Sequence, residues 1–269
     1  METTPSPLTD LSTLPDDLDD GALAAELTRR AATLASEMRA RGLQGHEKTS
    51  VSDVVTAADH AAEAFVTAAL AALRPDDGIV GEEGASAAST SGRTWVIDPV
   101  DGTYNFLSGL SYWCSALALR DDEGVLVGAV HHPGQNEAWL GVRGRRTTLN
   151  GVELPLLTDA TADRSCLATY LHPTRLADPT LLRPWSAMTQ RTATVRMLGS
   201  SSCDLAAVAG GRIEAWAQHA VLEWDWLPGQ ALVLGVGGVT ELVEHRGHTW
   251  SLAGRPSAVA ELADAIRTS

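Results

Sequence analysis

The sequence predicts mixed α and β structure arranged in layers. Three observations carry that expectation. Two segments near the start repeat apolar residues at helical spacing, residues 114–143 alternate or run apolar between turn residues, and after about residue 155 strand and helix patterns take turns. A chain of 269 residues with 44% hydrophobic content also has enough apolar side chains for a substantial core.

Residues 21–41 read as a helix, with Leu23, Leu27, Leu34 and Met38 near one face and Gly42 as a stop. A polar loop containing Lys48 follows. Residues 53–73 read as a second helix, in which Val54, Ala58, Ala61, Phe65, Ala69 and Leu73 recur at helical spacing before Pro75 ends it. At Ile79 the period changes, and residues 79–80 and 95–97 read as strands. Residues 85–93 between them are rich in Ser, Ala and Gly and read as a mobile loop. Residues 114–120, 125–132 and 136–143 form a meander, with turn residues at 121–124 and 133–136. Asn150 and Gly151 mark another turn. Candidate strands at 166–171, 195–198, 213–216 and 239–243 then alternate with candidate helices at 178–190, 201–209, 226–235 and 257–267. The chain divides accordingly into an acidic flexible tail (1–20), an α+β part (21–155) and an α/β part (156–269).

Charge narrows the functional classes. The formal net charge is −14, and residues 1–20 hold six acids with no Lys or Arg, so that segment reads as solvated. The remaining acidity disfavours contact with a phosphate backbone, and nucleic acid is not an expected partner. It suits a protein that recruits cations and binds an anionic substrate through them. The three cysteines, Cys114, Cys166 and Cys203, are widely spaced and fit a reducing compartment. Neither a basic segment followed by an apolar stretch nor a run of eighteen apolar residues is present. A cytoplasmic location with no membrane partner is therefore the expectation.

The most specific segment is Trp95-Val96-Ile97-Asp98-Pro99-Val100-Asp101-Gly102-Thr103-Tyr104-Asn105-Phe106. An apolar run ends in two carboxylates three residues apart, and a glycine and a threonine follow at once. Carboxylates at a strand end suit a hard cation such as magnesium, which takes oxygen ligands. Backbone amides beside a glycine suit a phosphate oxygen. Two further segments, Ile79-Val80-Gly81-Glu82-Glu83-Gly84 and Glu223-Trp224-Asp225-Trp226-Leu227-Pro228, also bring acids to element ends. These three segments, in this order, resemble the inositol monophosphatase family of magnesium-dependent, lithium-sensitive phosphatases. The resemblance runs from about Leu23 to the C-terminus.

The resemblance implies alternating α-β-α-β-α layers, with the active site between the two parts. It implies that Glu82, Asp98, Asp101, Asp225 and the backbone carbonyl of Val100 hold two or three Mg2+ ions. Thr103, hydrogen-bonded by Asp59, would orient an attacking water together with Glu82, and the mobile loop around Lys48 would lie near the third ion. Asp101, Gly102, Thr103, Gly199, Ser200, Ser201, Gln218 and Asp225 would contact the substrate. The implied reaction is hydrolysis of a small phosphorylated polyol, first of all myo-inositol 1-phosphate, by a homodimer.

Gln218 departs from the glutamate that the animal enzymes carry at this place, whereas Glu214 matches a common acidic position. Histidinol-phosphate phosphatase, fructose 1,6-bisphosphatase and 3′-phosphoadenosine 5′-phosphate phosphatase therefore stay open as alternatives within the same chemistry. A non-catalytic interaction protein is the alternative of another class. His131 and His132, the eight tryptophans and the basic hairpin of Arg143, Arg145 and Arg146 read as structural or solvated features.

Overall fold

The computed structural model describes residues 9–15, 17–42, 45–50 and 53–269, with the backbone path alone for 45–50 and 53–55. Helix α1 (Asp20–Ala40) starts where the Asp19 side chain accepts from the Ala22 N–H. Strands β1 (Gly45–Ser50) and β2 (Asp53–Thr56) form a small antiparallel ribbon. Helix α2 (Ala57–Leu73) therefore begins four residues later than the apolar spacing predicts. Thr56 stops it there, because its hydroxyl caps the first turn while Asp59 reaches back to the Thr56 amide. That reciprocal cap outweighs the helical spacing of Val54.

A large sheet follows. Strands β3 (Gly78–Gly81), β4 (Ser86–Ala87) and β5 (Thr94–Asp101) lead through the short helix α3 (Thr103–Leu107) into the meander β6 (Cys114–Asp121), β7 (Gly124–His132) and β8 (Glu137–Val142). Strands β9 (Thr148–Leu149) and β10 (Val152–Glu153) close its edge. The order across the eight strands is β10-β9-β8-β7-β6-β5-β3-β4, with only β3 and β5 parallel among the neighbours. The segment expected to be a mobile loop thus contributes a strand, β4, that pairs with β3.

The second half alternates as its pattern predicts. It comprises β11 (Cys166–Tyr170), α4 (Pro179–Thr189), β12 (Thr194–Arg196), α5 (Ser201–Ala209), β13 (Ala215–His219), α6 (Glu223–Gly235), β14 (Val239–His245), β15 (His248–Gly254) and α7 (Pro256–Arg267). Its five-stranded sheet runs β12-β11-β13-β15-β14, with β11 parallel to both β12 and β13. Helices α1 and α2 cover one face of the large sheet, α5 and α6 fill the space between the sheets, and α4 and α7 cover the outer face of the small sheet. The result is an α-β-α-β-α stack.

Each interlayer space has its own apolar core. Leu23, Leu27, Phe65, Leu70, Trp95 and Leu119 fill the first, Leu205, Trp216, Leu227 and Leu232 the middle one, and Leu181, Trp250, Leu252 and Leu262 the third. Five of the eight tryptophans (Trp95, Trp113, Trp139, Trp216 and Trp250) are essentially inaccessible, which explains their number as core volume. Not all of the acidic N-terminal segment is a solvated tail. Leu14 is buried, and Arg30 donates to the Thr13 hydroxyl and to the Asp10 and Thr13 carbonyls. Asp20 opens α1 and pairs with Arg74 and Arg93. Among the described residues no helix is long and apolar enough to cross a membrane.

The approach of α6 to the large sheet sets the position of everything at its N-terminus. Gly128 of β7 lies directly under it, and a Cβ there would collide with the Pro228 carbonyl and the Ala231 side chain. Gly128→Ala is expected to lower stability by about 1–3 kcal/mol through this overpacking. A thermal or denaturant melt checks the prediction.

Candidate active site

Strand β5 is buried along nearly its whole length, and its last residues bring Asp98 and Asp101 to the junction of the two halves. The ladder with β6 is irregular between Asp98 and Asp101, which turns both carboxylates toward the same space. Helix α6 supplies Asp225 from its first turn. It starts at Glu223, ahead of the expected 226, so Pro228 lies inside the helix. Trp226 stacks on Trp216 with ring centroids 5.5 Å apart and pins this end of the helix. One carboxylate oxygen from each of Asp98, Asp101 and Asp225 lies within 4.8 Å of the others.

These acids are held against their own electrostatics. Burial pushes the Asp98 carboxyl well above the usual carboxylate range, and the neighbouring Glu82, Asp101 and Asp225 push it the same way. Burial also raises Asp101, against hydrogen bonds that favour its charged form, among them the Ser202 N–H at 2.5 Å. Asp98 Oδ1 is buried with no hydrogen-bond partner among the described residues. An orphaned buried oxygen inside an all-carboxylate set is an arrangement that a hard divalent cation satisfies, and the donor chemistry fits magnesium.

Beside the acids, Gly102 adopts φ 92°, a left-handed conformation that glycine takes without steric cost, and the chain turns there from β5 into α3. The Thr103 Oγ1 sits 3.1 Å from Asp59 Oδ1 and 3.0 Å from the Val100 carbonyl. Asp59 is fully buried rather than a surface acid, and its other oxygen accepts from Thr56. The group that caps α2 is thus the group that orients Thr103. Burial is the main force raising the Asp59 carboxyl, and the Thr56 and Thr103 bonds oppose it.

A cleft of about 450 Å³ opens in front of this cluster. Glu82, Asp101, Gly102, Thr103 and Asp225 border it, as do Gly199, Ser200, Ser201 and Gln218, and the two groups meet where a Cβ on Gly102 would lie 3.1 Å from the Gly199 carbonyl. Part of its wall is made at the C-terminal ends of parallel strands, where Tyr170 ends β11 and Gln218 lies beside it on β13. Ser200 caps α5 through the Cys203 N–H. The side chain of Lys48 lies outside the described residues. Glu214 stands away from the cleft, accepting from the Cys166 N–H and pairing with Arg255. His131 and His132 end β7, outside the acid cluster, and Arg143 is paired with Asp121 and Glu123.

Three further residues contribute, of which Asn105 belongs to the Trp95–Phe106 segment and Glu63 and Asp204 lie outside the motifs. Glu63 of α2 accepts from the Glu83 and Ala85 N–H groups at 2.8 and 2.9 Å and so shapes the turn that carries Glu82. Its signal in the sequence is an acid one turn after Asp59 on a helix otherwise rich in alanine. The Asn105 amide donates to the Tyr112 and Leu198 carbonyls at 2.8 and 2.7 Å, tying the two halves together beside the cleft. Asp204 of α5 also borders the cleft and accepts from the Tyr112 hydroxyl at 2.8 Å.

Layered α and β structure around a carboxylate cluster that could hold a metal ion defines the class as a layered α/β protein with an acidic cleft. The chain belongs to the inositol monophosphatase family, whose model matches residues 17–267. A relative from Haemophilus influenzae, named Nus factor SuhB, is 32% identical over 219 residues, covering 78% of this chain and 81% of that protein. The extragenic suppressor protein suhB of Bartonella henselae superposes with a TM-score of 0.82 at 23% identity, over 92% of this chain and 98% of that one. An IMPase from Thermotoga maritima superposes with a TM-score of 0.78 at 24% identity, over 91% and 95%. The expectation that nucleic acid is excluded as a partner does not stand. Relatives at 30–32% identity bear the name Nus factor SuhB, and net acidity over a whole chain does not rule out a local surface for such a partner.

A carboxyl whose folded pKa lies above its unfolded value favours the folded state only while protonated. That contribution is complete below about pH 4 and is lost as pH rises through the raised value. In chelator, the melting temperature is therefore expected to fall as pH rises from about 4. Added magnesium should offset the fall, and Asp98→Asn should flatten it in chelator. Differential scanning fluorimetry across pH checks all three.

Proposed function

We propose that this chain is a magnesium-dependent phosphomonoesterase acting on a small polyol phosphate, with myo-inositol 1-phosphate as its substrate. The observation that carries the reading is the convergence of Asp98, Asp101 and Asp225 beside a cleft that also presents Thr103. In this reading Glu82, Asp98, Asp101, Asp225 and the Val100 carbonyl hold two or three Mg2+ ions. Bound ions would neutralise phosphate charge, lower the pKa of an attacking water and stabilise the leaving oxygen.

The chain's own residues supply the remaining work. Thr103 donates its proton to Asp59 and keeps its oxygen lone pairs to accept from the attacking water, which it holds in line with phosphorus. Glu82 faces the same water from the other side. The backbone around Gly102 approaches the phosphate without a side chain in the way, and the dipole of α6 steadies Asp225. Ser200, Ser201 and Gln218 offer hydroxyls and an amide to the alcohol portion. Water attacks directly, so no covalent phosphoenzyme forms.

A panel of phosphate esters with purified protein tests the proposal. Magnesium-dependent phosphate release is expected, with inositol 1-phosphate ahead of histidinol phosphate, fructose 1,6-bisphosphate and 3′-phosphoadenosine 5′-phosphate. Asp98→Asn is expected to cut the rate about 100-fold or more, given the several kcal/mol that a metal clamp contributes. Full magnesium-dependent turnover by that variant would defeat the reading.

The name of the relatives carries a second reading, in which the chain binds the transcription machinery beside or instead of catalysing. Co-purification of RNA polymerase with the tagged chain, together with a panel that yields no phosphate, would favour it.

A further inference from the structure

Asp204 has no role in the chemistry above, yet its placement is unusual. It sits in the first turn of α5, is only 4% exposed, and borders the substrate cleft. One oxygen, Oδ1, accepts from the Tyr112 hydroxyl at 2.8 Å. The other oxygen has no hydrogen-bond partner among the described residues and is not one of the enclosed unpaired atoms, so it is open on the cleft that the residue borders. Tyr112 is itself fixed, since its carbonyl accepts from Asn105, whose amide also holds the Leu198 carbonyl. The carboxyl is therefore clamped from behind, with one edge left for the cleft. Gln218, a neutral amide, lines the same cleft.

The titratable groups that face Asp204 are few. They are Tyr112 ahead of β6, Asp101 at the end of β5, Cys203 on its own helix and Cys166 on β11. No cation is among them. Burial is the dominant influence and pushes the Asp204 carboxyl up to about 8; the Tyr112 bond opposes this and Asp101 adds to it. At neutral pH the group carries a proton, so it can donate as well as accept.

We propose that Asp204 is a specificity-determining residue that touches the substrate, its carboxyl O–H donating to a hydroxyl of the alcohol portion of the bound ester. A carboxylic acid held neutral in an apolar setting is a strong, directed donor. With Gln218 lining the same cleft, a polyol is then met by two groups, an acid proton from α5 and an amide from β13. An alcohol portion without hydroxyls gains nothing from either. The inference rests on the phosphatase reading.

The test compares inositol 1-phosphate with phenyl phosphate, which shares the phosphate but has no free hydroxyl. Asp204→Ala is expected to lower kcat/KM about tenfold for inositol 1-phosphate, mainly through KM, with a several-fold smaller loss for phenyl phosphate. Asp204→Asn, whose amide accepts from Tyr112 and still donates into the cleft, is expected to recover most of that loss. The ratio of kcat/KM for the two esters cancels ionisations common to both. In the unaltered protein it should fall as pH rises through about 8, and in Asp204→Asn it should stay flat. Equal losses on the two esters in Asp204→Ala, or an alkaline fall in the ratio that persists in Asp204→Asn, would overturn the proposal. Absence of phosphate release from both esters in the unaltered protein would instead overturn the phosphatase reading, and this inference with it.

Discussion

The structure depends on one electrostatic constraint, the enforced closeness of buried carboxylates at the junction of two sheets. Asp98 and Asp101 are carried there by a strand with almost no exposed surface, and Asp225 by a helix packed between the sheets. The apolar cores on either side fix these elements, so the acids cannot relax apart. Burying these carboxylates in a medium of low dielectric is costly and raises both Asp98 and Asp101, and at Asp98 the neighbouring acids add to that cost. A divalent cation reverses its sign. The fold thus stores in the metal-free site the preference for a cation that function would use.

Around that cluster, local structure and site geometry are built from the same atoms. Asp59 caps α2 and holds Thr103, Ser200 caps α5, and the Ser202 amide at the start of that helix holds Asp101. Asn105 joins the Tyr112 and Leu198 carbonyls, which sit on opposite halves of the molecule. Because each of these groups serves two purposes, a change made for stability at one of them alters the cleft as well.

Much of this was legible from residue patterns, for identifiable reasons. The carboxylates after the apolar run at 95–97 could be placed because a buried strand must end somewhere, and acids at its end share one space. The alternating second half followed from clear changes of period. The spacing places the start of α2 too early because Val54 fits the helical repeat, while the Thr56 cap ends the preceding strand and starts the helix at Ala57. The strand at Ser86–Ala87 was hidden by composition, since its two exposed small residues pair through backbone alone. Glu63 and Asp204 carry no motif and act through contacts with residues far away in sequence, and for Asn105, which the Trp95–Phe106 segment includes, no spacing rule encodes its bond to the Leu198 carbonyl. Charge summed over the whole chain misled on partners, since a total says nothing about any one face.

The central claim, that these acids share cations, is tested most directly by crystals grown or soaked with Mn2+ as a magnesium surrogate. Anomalous scattering would locate the ions without reference to activity. The account predicts at least one strong peak bounded by the carboxylates of Asp98, Asp101 and Asp225. Ordered carboxylates with no peak between them at saturating Mn2+ would contradict it.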